Sequence, residues 1–255
     1  MIKFIVLCLL STTAVARTYP TGFLGWKDPR NKANVRYQGE PVVVSYLPKS
    51  FDWRGSGYLV PIKDQGSCGS CWSFAITKSL ELSMIFYAQG DSLNLSEQHM
   101  VSCAQDAYGC SGGFMESAAF AVNNGITGES DFPYSGTNAN CKRNLPIRAK
   151  ASSFVLLGSP NKAPEIDAIK SAILRYGSVF VTVAAGGSGW SSSGDSVTGC
   201  RNRGTNHMIN LVGWTANKEW IMANSWGSDW KQAGYAKIPF GCDLVAEEAG
   251  YIEIE

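Results

Sequence analysis

Two regimes of hydrophobic patterning divide the chain. From Cys71 to Ala88 the residues Trp72, Ala75, Ile76, Leu80, Met84 and Ile85 fall near helical spacing, and Gly90 follows as a stop. Ser96, ahead of Glu97-Gln98-His99, stands where a hydroxyl can accept an amide proton that a first helical turn leaves unpaired. Phe114 to Asn124, closing at Gly125, is a third helical stretch. The period then shortens. Runs at 178–183, 208–214, 220–223 and 235–238 are rich in β-branched and aromatic residues and predict strands. One helix interrupts them, Pro164 to Tyr176, with proline in its first turn and Gly177 past its end. Gly186 to Gly189 and Ser191 to Gly194 read as loop and not as phosphate cradles, since no helix with a lysine follows. A mainly helical half therefore precedes a strand-rich half.

The N-terminus has its own pattern. Lys3 precedes the apolar run Phe4 to Leu10 and then Ala14-Val15-Ala16, which is the layout of a secretory signal peptide over 1–16. That run is too short to span a bilayer, and no later stretch is long enough, so no integral membrane span is expected. Residues 17–46 carry scattered Gly and Pro, several basic residues and no sustained helical period. The rest suits one globular unit, with 45% hydrophobic residues to fill a core. A net charge of +1 argues against nucleic-acid or anionic-membrane binding, which needs a strong basic excess.

The segment Gln65-Gly66-Ser67-Cys68-Gly69-Ser70-Cys71-Trp72-Ser73-Phe74-Ala75 sets an amide donor six residues ahead of a thiol, and the thiol stands where a helix begins. Taken alone, Cys68 and Cys71 fit a thioredoxin-like redox pair or half of a zinc site. No second Cys-x-x-Cys exists, and neither reading accounts for Gln65. There are two histidines. His99 lies on the short second helix and reads as a surface or packing residue. His207 opens an apolar run, after Asn206 and before Met208. Downstream comes Asn224-Ser225-Trp226-Gly227-Ser228-Asp229-Trp230. Cys68-Gly69-Ser70-Cys71-Trp72, with His207 and Asn224 far downstream, resembles the papain-like cysteine peptidases of the papain and cathepsin type. The resemblance runs from Leu47 to Ile254.

The resemblance implies an α+β fold with two lobes, a helical left lobe and a β-barrel-like right lobe, and an active site in the cleft between them. It implies a peptidase domain over 47–255 and a short propeptide-like segment over 17–46. That segment lacks the family's long helical prodomain, and it holds no cysteine that could block the nucleophile. The implied catalytic residues are Cys71 as nucleophile, His207 as general base and acid, Asn224 as the group orienting His207, and Gln65 as oxyanion donor. Trp226 would cover the His207–Asn224 hydrogen bond, whereas Trp230 packs. Gly112 and Gly113, in Gly109-Cys110-Ser111-Gly112-Gly113, would wall the substrate groove, with Asn206 beside the base. Met115 and Met208 would line the second subsite, and Glu247 would stand at its floor, unless the alignment slips by one to Ala246 or Glu248.

With Cys8 in the leader and Cys71 as nucleophile, six of the eight cysteines remain, and sequence alone allows fifteen pairings. The resemblance selects Cys68–Cys110, Cys103–Cys141 and Cys200–Cys242. It calls for no metal and no cofactor. It implies polypeptide substrates, protein inhibitors of cysteine peptidases as partners, a monomer, and secretion or delivery to a lysosome or digestive vacuole. No insertion or histidine between Gly113 and Cys141 narrows the groove, which implies cleavage within chains. The sequon Asn94-Leu95-Ser96 gives no expectation of a glycan, because Ser96 already has a capping role. Two other functions compete: a catalytically silent papain-like binding protein, and a thiol–disulfide oxidoreductase using Cys68 and Cys71.

Overall fold

The computed structural model describes residues 35–38, 44–57, 60–88, 93–158, 162–201 and 204–254. The expected leader, most of the segment 17–46, and Gly90 lie outside the described residues. In chain order the elements are β1 (Val35–Gln38), β2 (Phe51–Asp52), α1 (Cys71–Ala88), α2 (Glu97–Cys103), α3 (Ala119–Asn123), β3 (Ile126–Thr127), β4 (Ile147–Ala149), β5 (Ser153–Leu157), α4 (Ile166–Tyr176), β6 (Val179–Val183), α5 (Ser188–Ser191), β7 (His207–Trp214), β8 (Glu219–Ala223), β9 (Tyr235–Pro239) and β10 (Ala249–Glu253). A sheet in the order β1-β5-β10-β6-β7-β8-β9, with β2 added on β7, forms one side, and β3 pairs with β4 separately. The pairings are antiparallel except for β1 on β5.

The long helix α1 is the hinge of the architecture. Every residue from Cys71 through Ser83 is buried, because one flank meets the helical lobe and the other the sheet. Burial on both flanks explains its imperfect helical pattern: small polar residues replace the solvent-facing stripe and must find partners. Ser73 Oγ donates to the Glu97 carbonyl at 2.9 Å, and Ser83 Oγ bonds the Tyr176 and Ile252 carbonyls at 3.2 and 3.1 Å. Across the lobes, Asn210 Nδ2 on β7 donates to the Ala75 carbonyl at 3.0 Å and to Ser79 Oγ at 2.9 Å. Separate apolar clusters fill the two sides, one around Trp72, Leu80, Met100 and Phe154, the other around Val181, Leu211, Trp214, Trp220 and Tyr251. This is the papain-like α+β arrangement.

Three local expectations are corrected, and the two-way reading of His99 is resolved. The stretch from Phe114 to Asn124 is not one helix: a 3-10 turn at Met115–Ala118 leads into the short α3. Helix α4 starts at Ile166, because Glu165 remains extended (φ −65°, ψ 142°) and acts as its cap, leaving Pro164 outside. The Gly- and Ser-rich stretch contains α5, organised by the buried Trp190. His99 is packing and not surface: it is 7% exposed, its Nδ1 accepts from the Thr127 amide at 3.3 Å, and Phe120 meets it edge-on.

Candidate active site

Cys71 is the first residue of α1, and the loop before it is held from several directions. A disulfide joins Cys68 to Cys110, and the Gly69 amide donates to the Cys110 carbonyl at 2.9 Å. The Ser70 carbonyl receives the Ser73 and Phe74 amides at 2.9 and 3.2 Å, starting the helix. The positive end of the α1 dipole therefore lies at Cys71, where it favours an anion. Two further disulfides, Cys103–Cys141 and Cys200–Cys242, brace loops on the two sides.

Strand β7 delivers His207 to the same point. The amide of Met208, its chain neighbour, donates to Cys71 Sγ at 3.2 Å. His207 Nε2 lies 2.8 Å from Asn224 Oδ1. The Ser225 amide also donates to that atom, at 2.8 Å, and an N–H needs an acceptor, so the Asn224 oxygen faces both groups. His207 must then carry its proton on Nε2, which leaves Nδ1 with the lone pair. Burial drives the His207 pKa down to about 4, although the Asn224 hydrogen bond favours the charged ring. Trp226 covers the pair, its ring centroid 4.9 Å from that of His207 and tilted by 31°.

Gln65 is fully buried and ties the two loops together. Its Nε2 donates to the Cys68 carbonyl at 2.9 Å, and its Oε1 accepts from Ser225 Oγ at 2.7 Å. Gln65, Cys71, His207 and Asn224 are thus gathered from four places in the chain by direct bonds or adjacent residues. Gly113 is needed for close approach: a Cβ there would stand 2.4 Å from the Trp72 indole. Gly112 closes a turn with φ of 123° and donates to the Gly109 carbonyl at 3.3 Å. Met115 and Met208 are buried in the cluster that holds Trp72. Asn206 spends both side-chain groups on Ala185, accepting its amide at 2.8 Å and donating to its carbonyl at 3.0 Å, so it staples the loop after β6. Glu247 is exposed, whereas its neighbour Ala246 is buried.

Two residues that sequence reasoning did not single out support this arrangement. Trp190 stacks on Trp230 and packs near Trp226, and its Nε1 donates to buried Asp243 Oδ2 at 2.9 Å. A lone tryptophan amid glycines and serines was the available signal, since a large ring in such a stretch needs a reason. Tyr134 Oη bonds the Gln65 carbonyl at 2.8 Å and Ser70 Oγ at 2.6 Å, fixing the loop from Gln65 to Cys71. Nothing in its local sequence marks that role.

Comparison with known proteins agrees with this geometry. Residues 47–251 match the model of the papain family cysteine proteases. The chain is 34% identical over 229 residues to procathepsin L of Mus musculus, a match covering 84% of this chain and 66% of that protein. It is 36% identical over 200 residues to zingipain-2 of Zingiber officinale, covering 75% and 87%. Cathepsin K of Gallus gallus matches at 36% identity over 76% of this chain and 59% of that protein. The chain thus spans about three-fifths to two-thirds of the length of these cathepsin relatives. Among solved structures, the digestive procathepsin L2 proteinase from Tenebrio molitor larval midgut superposes with a TM-score of 0.75 at 32% identity, covering 82% of this chain and 69% of that one. A cysteine protease of Carica candamarcensis, solved in complex with E-64, gives 0.71 at 28% identity, covering 81% and 99%. Site geometry, fold and sequence together make this chain a member of the papain family of cysteine proteases.

Proposed function

We propose that the chain is a cysteine endopeptidase that acts on polypeptides through an acyl-thioester on Cys71. The observation that carries this reading is the convergence of Cys71 Sγ, the Met208 amide and the His207–Asn224 pair at the N-terminus of α1. Reduced Cys71 transfers its proton to His207 Nδ1 and attacks the peptide carbonyl carbon. Gln65 Nε2 and the Cys71 amide stabilise the resulting oxyanion. The tetrahedral adduct collapses, the C–N bond breaks, and His207 returns the proton to the departing amine. Water, deprotonated by the same ring, then cleaves the thioester and regenerates the thiol. Asn224 holds Nε2, which leaves the Nδ1 lone pair to exchange the proton with Cys71.

Gly112 and Gly113 form the wall along which an extended substrate runs, with Met115 and Met208 beside the second subsite. The cathepsin and digestive procathepsin relatives, together with the disulfides, point to the secretory pathway. The finer reading is secretion, or delivery to a lysosome or digestive vacuole, with a leader over 1–16 and a short propeptide over 17–46. No helix among the described residues is long and apolar enough to cross a membrane.

Hydrolysis of a fluorogenic peptide by purified, reduced protein tests the reading. His207→Ala should lose about a hundredfold to ten-thousandfold in kcat. Gln65→Ala should lose the equivalent of about 2.7–4 kcal/mol of transition-state stabilisation, and Asn224→Ala should lose less than His207→Ala. Cys71→Ala should be inactive. Sustained turnover by that last variant would sink the Cys71 mechanism, and no turnover by the reduced wild type would return the chain to the silent-relative reading.

A further inference from the structure

A cavity of about 490 Å³ lies between the segment carrying Lys63 and Asp64, the N-terminus of α2 at Glu97, and the loop bearing Glu129 and Tyr134. It is distinct from the site above, since neither Gln65, Cys71, His207 nor Asn224 lines it. Asp64 and Asn94 are exposed at its rim, whereas Glu97 within it is 1% exposed.

The charges here do not balance. Lys63 Nζ donates to Glu81 Oε1 at 3.1 Å, to the Leu95 carbonyl at 2.8 Å and to Glu97 Oε1 at 2.8 Å, which uses all three of its protons. The other carboxylate oxygens, Glu81 Oε2 and Glu97 Oε2, are buried without a hydrogen-bond partner. Glu129 repeats the pattern: one oxygen accepts the Tyr134 amide at 2.7 Å, and Oε2 is buried and unpartnered. Lys78, the second cation nearby, donates to the Pro61 carbonyl at 3.0 Å. Lys63 thus faces the carboxylates of Glu81, Glu97 and Glu129, and Lys78 those of Glu81 and Glu97, while Asp64 adds a further carboxylate at the rim. Buried carboxylate oxygens without donors are costly, and a cationic donor would offset that cost.

The apolar wall narrows the choice of cation. Phe74 and Tyr134 meet edge to face at 4.9 Å beside Leu93, a surface suited to an alkyl stem or a flat guanidinium. Among the described residues no group of three or more His, Cys, Asp or Glu side chains is arranged to hold a metal ion. We infer that this cavity is a second binding site for an alkylguanidinium or alkylammonium cation, borne by a free small amine or by a basic side chain of a polypeptide. Burial raises the Glu97 pKa to about 7 and raises that of Glu129 as well. The cation selects the ionised carboxylates, so affinity should rise as pH rises through about 7. Lys63 and Lys78, which also face Glu97, keep their charge across that range; burial lowers Lys78, but only to about 8.

Isothermal titration of full-length Cys71→Ala protein with N-methylguanidinium chloride and n-butylammonium chloride tests the site independently of catalysis. Binding at millimolar concentration or tighter is expected, weakened at least about tenfold by Glu97→Gln and by Glu129→Gln. Glu129→Gln removes charge without touching the Lys63 pair, so it remains informative if Glu97→Gln fails to fold. A blocked, glycine-flanked arginine peptide that binds with the same sensitivities identifies a polypeptide side chain as the source, whereas binding of the salts alone identifies a small amine. Absence of binding at millimolar concentration, or affinity unmoved by Glu129→Gln, would overturn the site. So would loss of binding on Glu247→Gln in its place, or a preference for calcium chloride over both organic cations.

Discussion

His207 shows how one hydrogen bond fixes a proton. The Ser225 amide sets the orientation of the Asn224 side chain, Asn224 sets the tautomer of His207, and the tautomer leaves the Nδ1 lone pair for the proposed base role. A buried neutral imidazole resists protonation, and a thiolate at Cys71 would oppose that resistance by favouring the opposite charge. The chain has only two histidines, so NMR can follow both. In Cys71→Ala the His207 ring should titrate near about 4; in reduced wild type it should titrate higher, while His99 stays unchanged in both. Equal His207 values in the two proteins would mean that no thiolate–imidazolium pair forms. At the same scale, Glu247 was the least legible residue, since it sits on a turn where a slip of one changes which side chain is inward. Ala246 is the buried one and Glu247 the exposed one. If Glu247 nevertheless reaches the second subsite, Glu247→Ala should lower kcat/KM for a peptide with Arg at that position relative to one with Phe. An unchanged Arg-to-Phe ratio would remove it from the pocket.

Among the elements, those with strong local signals could be read from the chain. Helix α1, the Ser96 cap and β6 to β9 follow from periodicity, a hydroxyl in the right place and β-branched runs. Strands β5 and β10 went unread, although Gly158-Ser159-Pro160 follows β5 in the sequence; both are short and are held as strands by pairing with each other. The 3-10 turn at Met115–Ala118 was equally hidden, since Ser117 Oγ, accepting the Phe114 amide at 3.3 Å, tightens it locally. Just before that turn, Gly113 sets the distance between its loop, the proposed groove wall, and α1. Gly113→Ala should force the wall away from Trp72, costing about 1–3 kcal/mol of stability. The expected readouts are a lower Tm and a lower kcat/KM for extended peptides. A variant with both unchanged would show that the wall can shift without consequence.

For the molecule as a whole, the proposed catalytic pair depends on two lobes keeping register. Cys71 comes from the helix and His207 from the sheet, and Asn210 clamps one to the other through Ala75 and Ser79. The four residues proposed for the site were legible in the sequence because each lies in a distinctive local motif; the clamps around them were not, because Asn210, Tyr134 and Trp190 act across more than fifty positions. The central claim is that this register makes Cys71 a nucleophile activated by His207. Reaction of the reduced full-length protein with an epoxide inhibitor of cysteine peptidases, followed by peptide mass mapping, tests it most directly. A single adduct on Cys71 is predicted, formed much more slowly in His207→Ala. Labelling spread over other cysteines, or an equal rate on Cys71 without His207, would contradict it.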